Sequence, residues 1–301
     1  MRKPDRTVWA AIALLAIFLV AGCGGGPRRP AGQTAGGKML VAASILPMAD
    51  FARQVGGDRV QVELMVPAGA SEHTYEPTAA QLEVLTRAKV LVLNGVGLEF
   101  WADSLVGAAG NPGLRVVKAA EGLPIIAEQG EQGATGDPHV WLDPISAIHQ
   151  VERIRDAFAA ADPPGAATYR QNAARYAGEL TDLDKEIRAQ VATFSHHKFI
   201  GFHTAWAYFA RRYGLEQVAA IERSPGREPS PAEVAEIVRT AKTIGAKAIF
   251  AEYQFPTKAA DAIAAETGAK VLVLDPLGIP PDYSYIKTLR YDVAEIAKAL
   301  R

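Results

Sequence analysis

Three histidines and one aspartate, His73, His139, His203 and Asp275, each lie at or beyond the end of an apolar, strand-like run. Imidazole nitrogen and carboxylate oxygen are ligand atoms for divalent transition metals, and three of the first with one of the second close a tetrahedral shell. His139 has the most distinctive surroundings. It sits in Asp137-Pro138-His139-Val140-Trp141-Leu142-Asp143-Pro144, between two Asp-Pro pairs. Each proline fixes its own φ and keeps the preceding residue out of helical geometry. His139 is therefore expected on a short, stiff segment leading into a helix. Taken alone, a histidine beside a tryptophan is more often a packed core residue than a ligand. The other three residues change that reading, provided the fold brings all four together.

The elements that must do so alternate strand and helix. Short apolar or β-branched runs at 39–43, 60–66, 90–93 and 115–117 read as strands, with helices at 47–55, 79–88 and 99–109 between them. A helix follows Pro144. Residues 166–191 contain no proline and Gly178 as the one glycine, and Tyr169, Ala173, Tyr176, Leu180, Leu183, Ile187 and Val191 recur at helical spacing. That pattern predicts one helix of roughly 35–40 Å with a single apolar stripe. Strands at 198–202, 216–221, 248–251 and 271–274 then alternate with helices at 205–213, 231–244, 257–267 and 285–300. Strands alternating with helices, most of them apolar enough to be buried on both faces, imply parallel sheets covered by helices. The expected fold is α/β: two βα lobes with parallel sheets, residues 39–161 and 196–301, joined by a long rigid linking helix within 162–195. In such sheets ligands bind at the carboxyl ends of strands. Two candidate residues come from each lobe, so the cleft between lobes is the expected metal site.

The 32 basic and 33 acidic residues nearly cancel, leaving a formal charge of −1. No electrostatic field points to nucleic acid. At the N-terminus, Arg2, Lys3 and Arg6 precede an apolar run from Val8 to Val20, which is too short for a membrane span of about 20 residues. The run ends at Cys23, the one cysteine in the chain, behind Ala21 and Gly22. This looks like a bacterial lipoprotein signal, residues 1–22, with Cys23 as the lipidated first residue of the mature protein. Residues 23–38, rich in Gly, Pro and Arg, read as a flexible tether. The expected product is extracytoplasmic, lipid-anchored to a bacterial membrane, and monomeric. A plain secretory signal or an anchor helix is the alternative.

Five stretches together resemble the cluster A-I metal-binding proteins of bacterial ABC importers, the zinc and manganese receptors. They are Glu72-His73-Thr74-Tyr75-Glu76-Pro77-Thr78, the segment from Asp137 to Pro144, Phe202-His203-Thr204-Ala205-Trp206-Ala207-Tyr208-Phe209, Glu228-Pro229-Ser230-Pro231, and Leu274-Asp275-Pro276-Leu277-Gly278. The resemblance covers nearly the whole body. It implies two βα lobes, a rigid linking helix, a metal held between lobes by His73, His139, His203 and Asp275, and an ABC permease as partner. The nitrogen-rich set favours Zn2+ over Mn2+. The loop 121–136, unlike that of many zinc members, contains no histidine, which keeps a manganese receptor as the alternative.

Readings from other classes are a zinc hydrolase, a metal-dependent adhesin and a receptor for a metal chelate. No His-Glu-x-x-His helix and no Gly-x-Ser-x-Gly elbow supports the hydrolase, and three inward histidines suit a bare ion better than a chelate. His149, His196 and His197 read as surface residues. Glu76, Asp143 and Glu252 are candidates to orient the imidazole rings.

Overall fold

The computed structural model describes residues 37–127, 136–224, 226–278 and 283–301. The expected signal, Cys23, most of the expected tether and the middle of the 121–136 loop lie outside the described residues.

In the first lobe β1 (Met39–Ala43), β2 (Val60–Leu64), β3 (Val90–Leu93) and β4 (Arg115–Lys118) form one parallel sheet in the order β2-β1-β3-β4. Val41 is in register with Val62 on one side and Val90 on the other. Every residue of β1 and β3 is buried, as befits central strands covered on both faces. Helices α1 (Leu46–Gly56), α2 (Ala79–Arg87) and α3 (Ala102–Ala109) make the connections.

After α4 (Pro144–Ala161) comes α5 (Ala166–Val191), whose 26 residues span about 39 Å at 1.5 Å per residue. Its apolar stripe is buried as the spacing predicts, and α1, α4 and α9 pack on it. The second lobe follows: β5 (Lys198–Gly201), α6 (Ala207–Tyr213), β6 (Glu216–Ala220), α7 (Pro231–Ile244), β7 (Ala248–Glu252), α8 (Lys258–Thr267), β8 (Lys270–Leu274) and α9 (Tyr285–Leu300). Its strands pair as two parallel ladders, β5–β6 and β7–β8. β5 and β7 lie side by side, with Phe199 and Phe250 edge to face, 6.0 Å between centroids. A core of Ile200, Phe202, Ile249 and Ile263 serves this lobe. The larger core runs from the first sheet through α4 and α5 to α9.

The two lobes meet at a buried carboxylate. Asp50 of α1 accepts from the Tyr176 hydroxyl of α5 (3.0 Å) and from the backbone N–H of Tyr285, which opens α9 (3.1 Å). One side chain thus joins the first lobe, the linking helix and the second lobe.

One departure from the sequence expectation has a visible cause. Residues 99–101 are not helical, and α3 begins at Ala102. The Glu99 carboxylate turns back to accept the N–H groups of Asn94 (2.7 Å) and Gly95 (2.9 Å). That clamp holds a turn in which Val96 has φ 58°, a costly value for a β-branched residue. The turn occupies the residues that a simple reading gives to the helix. Among the described residues no helix is long and apolar enough to cross a membrane.

Candidate metal centre

Each histidine is delivered by a loop at the carboxyl edge of a sheet. His73 lies in the stretch between β2 and α2. That stretch ends at Thr78, whose side chain caps α2 in a reciprocal pair with Gln81. His139 opens a short 3-10 turn, Val140–Leu142, after which Asp143 caps α4 by accepting from Ile145 N–H. His203 follows β5 by two residues, and its carbonyl accepts from the Gln217 amide of β6.

The three rings converge. His139 Nε2 lies 3.1 Å from His73 Nε2 and 3.2 Å from His203 Nε2. The ring centroids form a near-equilateral triangle with sides of 5.1, 5.1 and 5.6 Å. A tetrahedral zinc with Zn–N bonds of about 2.0–2.1 Å would hold its nitrogens about 3.3 Å apart, so the spacing matches a shared ion.

The outer nitrogens explain why the inner ones face each other. His139 Nδ1 meets Asp137 Oδ1 at 2.7 Å, and the same oxygen accepts the His139 backbone N–H at 2.9 Å. His203 Nδ1 meets Glu252 Oε2 at 2.6 Å. Carboxylate oxygens accept, so each Nδ1 carries a proton and each Nε2 is left facing inward. Two imidazole nitrogens 3.2 Å apart in a buried site share either a proton or a cation. Both rings are about 2 % exposed, whereas His73 is 18 % exposed.

The charge states follow from the same contacts. Burial pushes the His73 imidazole well below its ordinary pKa, with the neighbouring His139 and His203 adding to the effect. It is therefore neutral and ready to ligate. For His203 burial also opposes the charge, but the adjacent, hydrogen-bonded Glu252 outweighs it and the pKa is pushed up to about 9.

The fourth position departs from the sequence reading. The side chains whose ligand atoms gather within 4.8 Å of one another are Glu72, His73, His139 and His203. Glu72 is 3 % exposed, and its Oε1 lies 3.6 Å from His73 Nε2 with no hydrogen-bond partner among the described residues. Burial pushes its carboxyl upward. A buried oxygen without a partner, aimed at three imidazole nitrogens, suits a cation. Asp275 is not in this group. Its Oδ1 accepts from Gly278 N–H at 2.6 Å and its own N–H donates to Asp292 Oδ1 at 2.7 Å, so its turn holds it. Gly278, at φ 100°, permits that turn, and a Cβ there would strike the Tyr283 ring.

Sequence reading passed over two residues here. Glu72 carried a signal in its adjacency to His73, and Asp137 carried one in its two-residue spacing from His139. Of the three candidates for orienting rings, Glu252 reaches His203. Asp143 instead caps α4 and takes a bidentate bond from Arg212 (2.8 and 2.6 Å), and Glu76 is exposed. His149 is held by the Glu121 carbonyl (2.8 Å), and His196 and His197 are exposed beyond α5.

A two-lobed α/β protein with a buried cluster of three histidines and a carboxylate at the facing sheet edges has the form of a metal-binding protein. The family model for the zinc-uptake complex component A, periplasmic, matches residues 41–299, and the chain belongs to that family. It is 32 % identical over 282 residues to the high-affinity zinc uptake system protein ZnuA of Bacillus subtilis, covering 89 % of this chain and 88 % of that protein. It is 33 % identical over 276 residues to the zinc-binding lipoprotein AdcA of Streptococcus pneumoniae, covering 88 % of this chain and 54 % of that longer protein. A crystal structure of ZnuA superposes with a TM-score of 0.81 at 37 % identity, covering 87 % of this chain and 99 % of that one.

Proposed function

We propose that this protein captures Zn2+ outside the cytoplasmic membrane on the Nε2 atoms of His73, His139 and His203, with Glu72 as the fourth ligand. The carrying observation is the pair of Nε2–Nε2 distances, 3.1 and 3.2 Å, between rings whose outer nitrogens are held by carboxylates. Asp275, which the sequence pattern offered and which follows β8, is the alternative fourth ligand. The protein is the solute-binding component of an ABC importer for zinc, and the ion is its cargo. Four protein ligands leave no open position for a reactive water, as suits a carrier. We further propose residues 1–22 as a lipoprotein signal, Cys23 as the lipid anchor and residues 39–161 and 196–301 as lobes of a monomer. AdcA, the lipoprotein relative, supports the anchor.

The test is growth under zinc limitation. In cells lacking their own copy, the wild-type chain restores growth in the presence of a zinc chelator and His139→Ala does not. Equal rescue by both would remove this site from zinc uptake. Cys23→Ser would release the protein from the membrane fraction, and its retention there would remove Cys23 as the anchor.

A further inference from the structure

The two carbonyls preceding His139 are each held by a side chain, and the two side chains come from opposite lobes. Asn94, at the end of β3, donates from Nδ2 to the Pro138 carbonyl (2.9 Å), and its own Oδ1 is held by Gln150 Nε2 (2.8 Å). Tyr208, on α6 and five residues beyond His203, donates its hydroxyl to the Asp137 carbonyl (2.9 Å). The same hydroxyl accepts from Ile126 N–H (2.9 Å), while Asp137 N–H donates to the Ile126 carbonyl (2.9 Å). Tyr208 therefore pins both sides of the neck formed by Ile126 and Asp137.

Three more contacts tie the same segment to the second lobe. Trp141 Nε1 donates to the Pro276 carbonyl (2.8 Å), the Tyr285 hydroxyl donates to the Trp141 carbonyl (2.5 Å), and Arg212 holds Asp143. His139 follows the first sheet in sequence, yet its segment is fastened to the lobe that carries His203. Of these bonds, the one from Tyr208 lies on Asp137 itself, the residue whose carboxylate holds the His139 ring.

We propose that Tyr208 is a positioning residue for zinc capture. Its hydroxyl fixes the Asp137 peptide so that the Asp137 carboxylate keeps His139 in one tautomer, at its observed distance from His203, before the ion arrives. This rests on the zinc reading above. The His139–His203 half of the site is then preformed. The alternative role is packing alone, since the ring is buried against Val140 and Ala120.

Tyr208→Phe keeps the ring and removes the hydroxyl. Tyr169→Phe is the control, because Tyr169 also loses a hydroxyl bond, a part-buried one to Asp162, away from the metal centre. The first readout is the downfield imidazole N–H proton signal of His139 in the metal-free full mature chain. It is present in the wild type and in Tyr169→Phe, and lost or exchange-broadened in Tyr208→Phe. The second is zinc release to a chelator, about three- to tenfold faster in Tyr208→Phe, the effect of losing one hydrogen bond, and unchanged in the control. An intact His139 signal in Tyr208→Phe, or equal changes in both variants, would overturn the proposal. Should the wild type itself hold no zinc, the zinc reading falls, and the metal-free signal still decides the role of Tyr208.

Discussion

The ring of His203 donates its Nδ1–H to Glu252 over 2.6 Å, across 49 residues of chain and from one parallel ladder to the next. The contact joins the second residue after β5 and the last residue of β7, so the packing of these two strands sets the direction of the His203 ring. Partners of this kind raise ligand basicity and hold the ring, and losing one typically costs about 10–100-fold in metal affinity. Glu252→Gln should lower zinc affinity by that amount in a competitive chelator titration while the far-ultraviolet spectrum stays unchanged. An affinity within twofold of wild type would contradict the role.

The same contact sets the pH response. An ordinary imidazole titrates near 6.5, and Glu252 holds that of His203 up at about 9. A group whose pKa is raised by folding stabilises the metal-free fold fully below about 6.5, and this contribution is lost as pH rises through about 9. Zinc has to displace the His203 proton across that window, so apparent zinc affinity should rise with pH and level off above about 9. His73 is depressed and imposes no such competition near neutrality. Metal-free melting curves and zinc titrations over this range check both halves. A zinc affinity independent of pH throughout it would contradict ligation by His203.

The fourth ligand separates two carboxylates. Glu72 Oε1 is buried without a hydrogen-bond partner among the described residues, whereas Asp275 Oδ1 is committed to the Gly278 N–H. Glu72→Gln should therefore weaken zinc binding by about 10–100-fold, on the scale of a lost charge-assisted contact of about 1.5–3 kcal/mol. Asp275→Asn should act less on affinity and more on stability, through its turn. The reverse order in paired titrations would make Asp275 the ligand.

Much of the fold was legible because the pattern was local. The runs at 39–43 and 90–93 are apolar throughout because they are central strands, and the stripe from Tyr169 to Val191 is buried as its spacing requires. The three histidines were legible for the same reason, since each lies beyond a recognisable strand. What escaped depended on side chains folding back or reaching across. Glu99 clamps Asn94 and Gly95 and so moves the start of α3. Whether Glu72 or Asp275 reaches the ring cluster is decided by two loops remote in sequence. Glu252 could not be told apart from Glu76 or Asp143 until β7 was set beside β5.

Asp50 provides a test of the lobe junction apart from metal. Its carboxylate accepts from Tyr176 and Tyr285, and burial pushes its pKa upward. Asp50→Ala leaves both donors unpaired in the interior, which should cost about 1–3 kcal/mol in urea unfolding. A loss below about 0.5 kcal/mol, the size of an ordinary surface substitution, would show that the junction does not depend on Asp50.

The most direct test of zinc capture is a competition on the stripped mature chain, offered equal Zn2+ and Mn2+, with bound metal measured per chain. One tightly held Zn2+ per chain, displacing Mn2+ and lost in His139→Ala, is the predicted result. A preference for Mn2+, or no tight metal, would contradict zinc capture by the three-histidine centre.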